Sequence, residues 1–103
     1  MSEATINEAK KVKLLDGSEI ELKPLKLSLL RPFMAKFSEL EDVAEDNAKS
    51  MDVLVACVQI AMKQYKPELA EDAEALEENI DLPTVYAIIE VAGGINLNGV
   101  TFG

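Results

Sequence analysis

Apolar and charged residues alternate along the first part of the chain, from Lys11 to Lys23. The apolar positions of this segment are Val12, Leu14, Ile20 and Leu22. A period of two is typical of a strand with one buried face, and the break at Asp16-Gly17 divides the segment into two strands. Because proline cannot continue a paired strand, Pro24 ends the second one. We therefore predict a β-hairpin over residues 10–24.

The apolar face of this hairpin also restricts how its strands pair. A two-residue Asp16-Gly17 loop would set apolar positions of one strand against charged positions of the other. Pairing Leu14 with Ile20 instead keeps the apolar residues on one face. This register predicts a three-residue loop of Asp16-Gly17-Ser18, or a bulge at that point.

After the hairpin, apolar residues recur at every third or fourth position, which predicts amphipathic helices. Ser28 is the expected N-cap of a first helix over 29–40, with Pro32 near its start. The apolar stripe of this helix comprises Leu30, Phe33, Met34, Phe37 and Leu40. Residues 41–49 carry acidic pairs four positions apart, so we expect a solvated connection or a frayed helix end there.

A second helix, capped by Ser50 and running over 51–66, is apolar on most of its circumference, which predicts a central position in the fold. Pro67 ends it. An acidic helical stretch follows at 68–80. Its expected inward contacts are Leu69, Leu76 and Ile80, and its carboxylates should face solvent or a partner.

The last helix has the clearest boundaries of the sequence. Asp81-Leu82-Pro83 supplies a capping carboxylate and a proline in the first turn, and Gly93-Gly94 supplies a C-cap. The helix predicted over 83–92 is apolar on more than half of its circumference. Beyond it, Asn98-Gly99 lies between short apolar arms and predicts a small hairpin or an additional strand.

Together these elements predict one α+β domain over residues 1–103 that is mostly helical. It begins with a flexible lead-in at 1–9 and the hairpin at 10–24. A bundle of three to four helices occupies 28–94, and an extended or hairpin tail occupies 95–103. With 103 residues, of which 49% are hydrophobic, the chain is long enough for a modest core.

Charge excludes some classes of partner. The chain has 10 basic and 19 acidic residues and a net charge of −9, which argues against binding to nucleic acid or to an anionic membrane. Its longest apolar run, 53–58, is far too short for a membrane span, and its first residues do not resemble a signal peptide. We expect a soluble, intracellular protein.

The charge is also unevenly distributed along the chain. Residues 10–36 have a net charge of +4, whereas residues 67–103 contain eight acidic residues and no basic one. Two interpretations stay open. The charges belong either to an ordinary solvated surface, or to head-to-tail attraction between the two parts or between copies of the chain.

No pattern of residues predicts catalysis or a cofactor. The chain has no histidine, which removes the commonest general base and metal ligand. Its single cysteine, Cys57, lies in an aliphatic run, where a small buried hydrophobe in a reducing compartment is expected. We therefore expect a protein that is not an enzyme and that binds neither a metal nor a cofactor.

Two segments carry a family resemblance. Val12 to Leu25, followed by Leu30-Arg31-Pro32-Phe33, resembles the start of the tail assembly chaperones of long-tailed bacteriophages, and Asp81 to Ile95 is similar to their closing helix. With the acidic middle, the resemblance spans roughly residues 11–97. Such proteins bind the tape measure protein, keep it soluble, recruit tail tube subunits and are usually absent from the finished virion. The resemblance thus implies a chaperone in the cytoplasm of the infected bacterium, with the tape measure and tail tube proteins as partners and self-association possible.

A chaperone of this kind needs apolar surface for its client. The first expected surface is on helix 83–92, and the second is on the stripe of helix 29–40. The candidate residues are Val85, Tyr86, Ile88, Ile89 and Val91 on the former and Phe33, Met34 and Phe37 on the latter. Packing in the core is the alternative interpretation for both sets. Two other classes also remain open, which are a structural or adaptor protein retained in the virion and a small regulatory binding module.

Overall fold

In the computed structural model, which describes residues 10–94, the alternating segment forms the predicted antiparallel hairpin. Strand β1 is Lys10–Lys13 and strand β2 is Glu19–Leu22. The predicted apolar face is confirmed, since Leu14, Ile20 and Leu22 are each at most 5% exposed. On the outer face, charged residues of opposite sign lie across from one another, which favours the pairing.

The predicted register was wrong by two residues, although the apolar face is the expected one. Ile20 pairs with Val12 rather than with Leu14. The Leu14 N–H donates to the Ser18 carbonyl at 2.7 Å, and the Gly17 N–H donates to the Leu14 carbonyl at 3.0 Å. The loop is therefore 15–17. Gly17 has a φ of 92° and takes the last loop position, where a left-handed residue returns the chain to the ladder.

Helices account for most of the remaining described chain, as predicted. Their bounds are α1 (Leu27–Phe37), a 3₁₀ helix (Ser38–Val43), α2 (Asn47–Tyr65), α3 (Pro67–Ala70), α4 (Ala73–Asn79) and α5 (Leu82–Gly93). Helix α2 packs against α1, α3, α4, α5 and the 3₁₀ helix, so its predicted central position is confirmed. The predictions for residues 1–9 and 95–103 lie outside the described residues.

Two predicted N-caps were wrong. Helix α1 begins at Leu27 after an extended Lys26, because the side chain of Gln64 accepts the Lys26 N–H at 3.1 Å and fixes the chain there. Ser28 is thus inside the first turn, and Pro32 lies in the interior of the helix.

The second wrong cap is Ser50, where the helix already continues. The side chain of Asp46 accepts the Lys49 N–H at 3.1 Å, and this cap starts α2 at Asn47. The Ser50 hydroxyl donates instead to the Val43 carbonyl at 2.7 Å. The segment predicted as a solvated connection or a frayed helix end, 41–49, is the end of the 3₁₀ helix, a short turn and the first residues of α2.

The boundaries of α5 were predicted correctly. The side chain of Asp81 accepts the Thr84 N–H at 3.1 Å, and Gly94 closes the helix with a φ of 64°. In the acidic stretch, the three expected inward residues are at most 8% exposed. They are Leu69, Leu76 and Ile80.

One hydrophobic core connects all of these elements, and its buried members come from β2, every helix and the loops between them. Two backbone hydrogen bonds attach the hairpin to later parts of the chain. The Leu15 N–H donates to the Asn79 carbonyl at 2.8 Å, and the Leu25 N–H donates to the Ala92 carbonyl at 3.1 Å. A two-stranded hairpin is marginal alone, so its stability comes from this attachment and from its buried apolar face.

Candidate partner-binding surfaces

The closing helix α5 contributes to the core three of its five residues that were predicted to bind a partner. Val85 is 3% exposed, and Ile88 and Ile89 are fully buried. Tyr86 and Val91 are half-buried at the edge of the same core. The core interpretation therefore describes three of the five candidates on this helix, and a partner could reach only the other two without opening the fold.

The candidates on α1 divide in the same way. Phe33 is fully buried and its ring stacks on that of Phe37, with centroids 6.4 Å apart and planes 4° from parallel. Phe37 is half-buried. Met34, by contrast, is 41% exposed, which makes it the most accessible of the eight candidate residues.

Met34 belongs to an exposed surface that we call the α1 ridge, formed by Leu27 and Met34. Leu27 is 66% exposed and lies two turns before Met34 on the same side of the helix. The exposed Arg31 lies between them on that side, and the exposed Lys26 precedes the helix. The α1 ridge is thus an apolar surface with cationic neighbours.

A second exposed surface lies where the starts of α2 and α5 meet the end of α4. It is a cleft of about 140 Å³, which we call the acidic groove. Its lining residues are Met51, Val55, Glu77, Ile80, Asp81, Leu82 and Val85. Met51 and Leu82 are 43% and 38% exposed at its walls, while Ile80 and Val85 form a buried floor.

Two of the residues that line the acidic groove, Glu77 and Asp81, carry carboxylates, and no lysine or arginine lines it. Neither Glu77 nor Asp81 belongs to the ion pairs Lys23–Glu21 and Lys36–Glu39. Hydrogen bonds from Thr84 hold the pKa of Asp81 below its usual range, so this carboxyl is ionised at neutral pH.

Metal ligands and the cysteine can be assessed in the part of the chain that the structure describes. No group of three or more carboxylate or thiol side chains there could hold a metal ion. Burial raises the pKa of the Cys57 thiol to about 12, and its side chain is fully buried. Among residues 10–94, no helix is both long and apolar enough to cross a membrane.

Sequence patterns missed most of the exposed apolar residues. Because Ser28 was predicted as the N-cap, Leu27 was placed outside the first helix. Its spacing of seven residues from Met34, which is about two helical turns, is the signal that could have put both on one side of that helix. Met51 was counted in the apolar circumference of α2, and Leu82 in the start signal of α5. No local pattern indicates that these two residues line the same cleft, because they belong to different helices.

Comparisons with known proteins found no match to the chain among protein-family models, curated proteins or solved structures.

Proposed function

We propose that the chain is a bacteriophage tail assembly chaperone, which binds the tape measure protein, keeps it soluble and helps recruit tail tube subunits. It would act in the cytoplasm of the infected bacterium and leave before the virion is complete. The proposal starts from the resemblance to that family of a front segment, 12–25 with 30–33, and a back segment, 81–95. Those two segments are neighbours in the fold, where the Leu25 N–H donates to the Ala92 carbonyl.

The observation that supports a client-binding role is the α1 ridge. Leu27 and Met34 are among the large apolar side chains that the described part of the chain leaves exposed, and they share one side of one helix. A flexible methionine next to leucine adapts to varied apolar partners. The net charge of −9 would keep a complex with an apolar client in solution.

Co-expression with the tape measure protein tests this function. We expect the wild-type chain to bring the tape measure protein into the soluble fraction and to co-purify with it. The double variant Leu27→Glu/Met34→Glu should lose this effect, because two carboxylates replace the apolar surface. Leu15→Glu is the control, since Leu15 is 59% exposed at the tip of the hairpin and is not part of α1.

Two results would contradict the proposal. One is a wild-type chain that neither solubilises the tape measure protein nor forms a complex with it. The other is a stoichiometric amount of this chain in purified virions, measured by mass spectrometry, which would favour a structural protein of the particle. Circular dichroism of each variant establishes that the fold is retained.

A further inference from the structure

The acidic groove has the dimensions of a site for one large apolar side chain. Its volume of about 140 Å³ is close to the roughly 150 Å³ of an engineered protein cavity that holds one benzene molecule. Its floor is apolar and buried, and its walls, Met51 and Leu82, are partly exposed. Binding of an apolar side chain here would remove these two walls from water, which is favourable.

The charge around the groove indicates what should flank that side chain. Glu77 and Asp81 line the groove, and no lysine or arginine does. Carboxylates at the edge of a water-excluding surface attract cations from a partner and repel acidic segments. A segment with an apolar residue and lysine or arginine about one helical turn away on either side matches both features.

We propose that the acidic groove binds a cationic, amphipathic helical segment of the client, with one apolar side chain in the groove and flanking cations at Glu77 and Asp81. The proposal rests on the proposed function for the identity of the client. It assigns to this groove a different chemistry from that of the α1 ridge, whose neighbours are cations. The two surfaces would thus select different segments of one client.

A second copy of this chain is the competing occupant, because the α1 ridge also combines apolar and cationic residues. Continued head-to-tail association of ridge with groove would, however, cover both surfaces on every copy within the assembly and leave neither for the client. Binding of the client at the groove leaves the ridge open. For this reason we assign the groove to the client and treat self-association as an outcome of the experiment.

A synthetic peptide provides the probe. The peptide has acetylated and amidated ends and about 18 residues, which is long enough to form a helix. Leucines occupy one face of this helix, and lysines flank that face. The matched peptide has glutamate in place of lysine. Isothermal titration calorimetry with the full chain should detect binding of the lysine peptide, weakening as salt is added, and no binding of the glutamate peptide.

Variants locate the binding on the protein. Met51→Gln and Leu82→Gln should each weaken binding of the lysine peptide by about tenfold, because each removes an apolar wall. Leu15→Gln, at the tip of the hairpin and outside the lining of the groove, should leave it unchanged. Glu77→Gln should weaken binding and reduce its salt dependence, whereas Glu71→Gln, which does not line the groove, should do neither.

Several outcomes overturn the assignment. These are equal binding of the two peptides, binding that Met51→Gln and Leu82→Gln do not change, and self-association of the wild-type chain that these variants abolish. Self-association would be measured by analytical ultracentrifugation, and its loss in these variants would show that a second copy of the chain binds the groove. The peptide assay contains no tape measure protein, so the two proposals can fail separately. If the chain binds the lysine peptide at the groove but does not solubilise the tape measure protein, only the proposed function is refuted. If the chain solubilises the tape measure protein but does not bind the lysine peptide at the groove, only the groove assignment is refuted.

Discussion

Two neighbouring side chains at the end of α2, Gln64 and Tyr65, fix the path of the chain between the hairpin and α1. The Gln64 amide donates to the Pro24 carbonyl at 3.2 Å and accepts the Lys26 N–H at 3.1 Å, and the Tyr65 hydroxyl donates to the Lys23 carbonyl. These bonds satisfy backbone groups that no strand or helix pairs. Their partners lie about 40 positions earlier, so nothing in the local sequence around Gln64 predicts them.

The Tyr65 hydroxyl provides a test at this scale. Tyr65→Phe should lower the free energy of unfolding by about 1 kcal/mol at pH 7, because one hydrogen bond is lost. Burial raises the pKa of Tyr65 to about 12, above the roughly 10 of an unfolded tyrosine. The folded state therefore favours the neutral phenol, and the stability this contributes is complete below pH 10 and declines as the pH rises toward 12.

Urea denaturation of both chains at pH 7 and pH 10.5 measures these effects. The difference between wild type and Tyr65→Phe should shrink at the higher pH. Ser28→Ala, which removes an exposed hydroxyl, serves as the control and should leave stability nearly unchanged. A Tyr65→Phe variant as stable as the wild type at pH 7 would show that the hydrogen bond contributes nothing.

Helix ends differ in how far local sequence determines them. At α5, Asp81, Pro83 and Gly94 all indicate the same boundaries, and the prediction was correct. At α2, Asp46 and Ser50 are both good caps, four positions apart, and local preference does not choose between them. The choice depends on the 3₁₀ helix, whose last carbonyl, at Val43, accepts the Ser50 hydroxyl. A tertiary contact therefore determines which of the two residues caps α2.

Substitution at Asp46 tests its role in starting α2. Asp46→Ala should lower the free energy of unfolding by about 1 kcal/mol, because the Lys49 N–H loses its acceptor. Asp46→Asn should be close to neutral, since an asparagine oxygen can accept the same hydrogen bond. Chemical denaturation compares the three chains, and an equal loss in both variants would mean that the side chain does not act as a cap.

On the scale of the whole molecule, the sequence predicted the core better than the surface. Periodicity identifies which residues of an element face inward, and the hairpin face and the central α2 followed from it. The acidic groove required knowledge of how three helices meet, because Met51 and Leu82 share no local pattern. An apolar residue on α5 can pack in the core or bind a partner, and both roles give the same pattern in the sequence. The sequence alone therefore did not distinguish partner-binding residues on α5 from core residues.

The excess of negative charge predicts an effect on stability. The exposed carboxylates of α4 include Glu74 and Glu78, which have the same sign and lie four residues apart on one helix. Glu78→Lys should raise the free energy of unfolding by about 0.5 kcal/mol at low salt, through a favourable pair with Glu74 and with the helix C-terminus.

Added salt should diminish this gain, because exposed charges are screened. Glu78→Gln is the control and should give a smaller gain, since it removes repulsion without adding attraction. Thermal denaturation at low and high sodium chloride measures both. A gain from Glu78→Lys that does not change with salt would contradict the electrostatic explanation.

The attachment of the hairpin to Asn79 and Ala92 has a consequence for the order of folding. On the ribosome, the hairpin is synthesised first, yet the carbonyls that receive its two anchoring hydrogen bonds emerge much later. Until then Leu14, Ile20 and Leu22 have no complete core to cover them, so we expect the nascent chain to stay unfolded until α5 has left the exit tunnel. A product that terminates within α4 would expose this face permanently and become a target for aggregation or proteolysis.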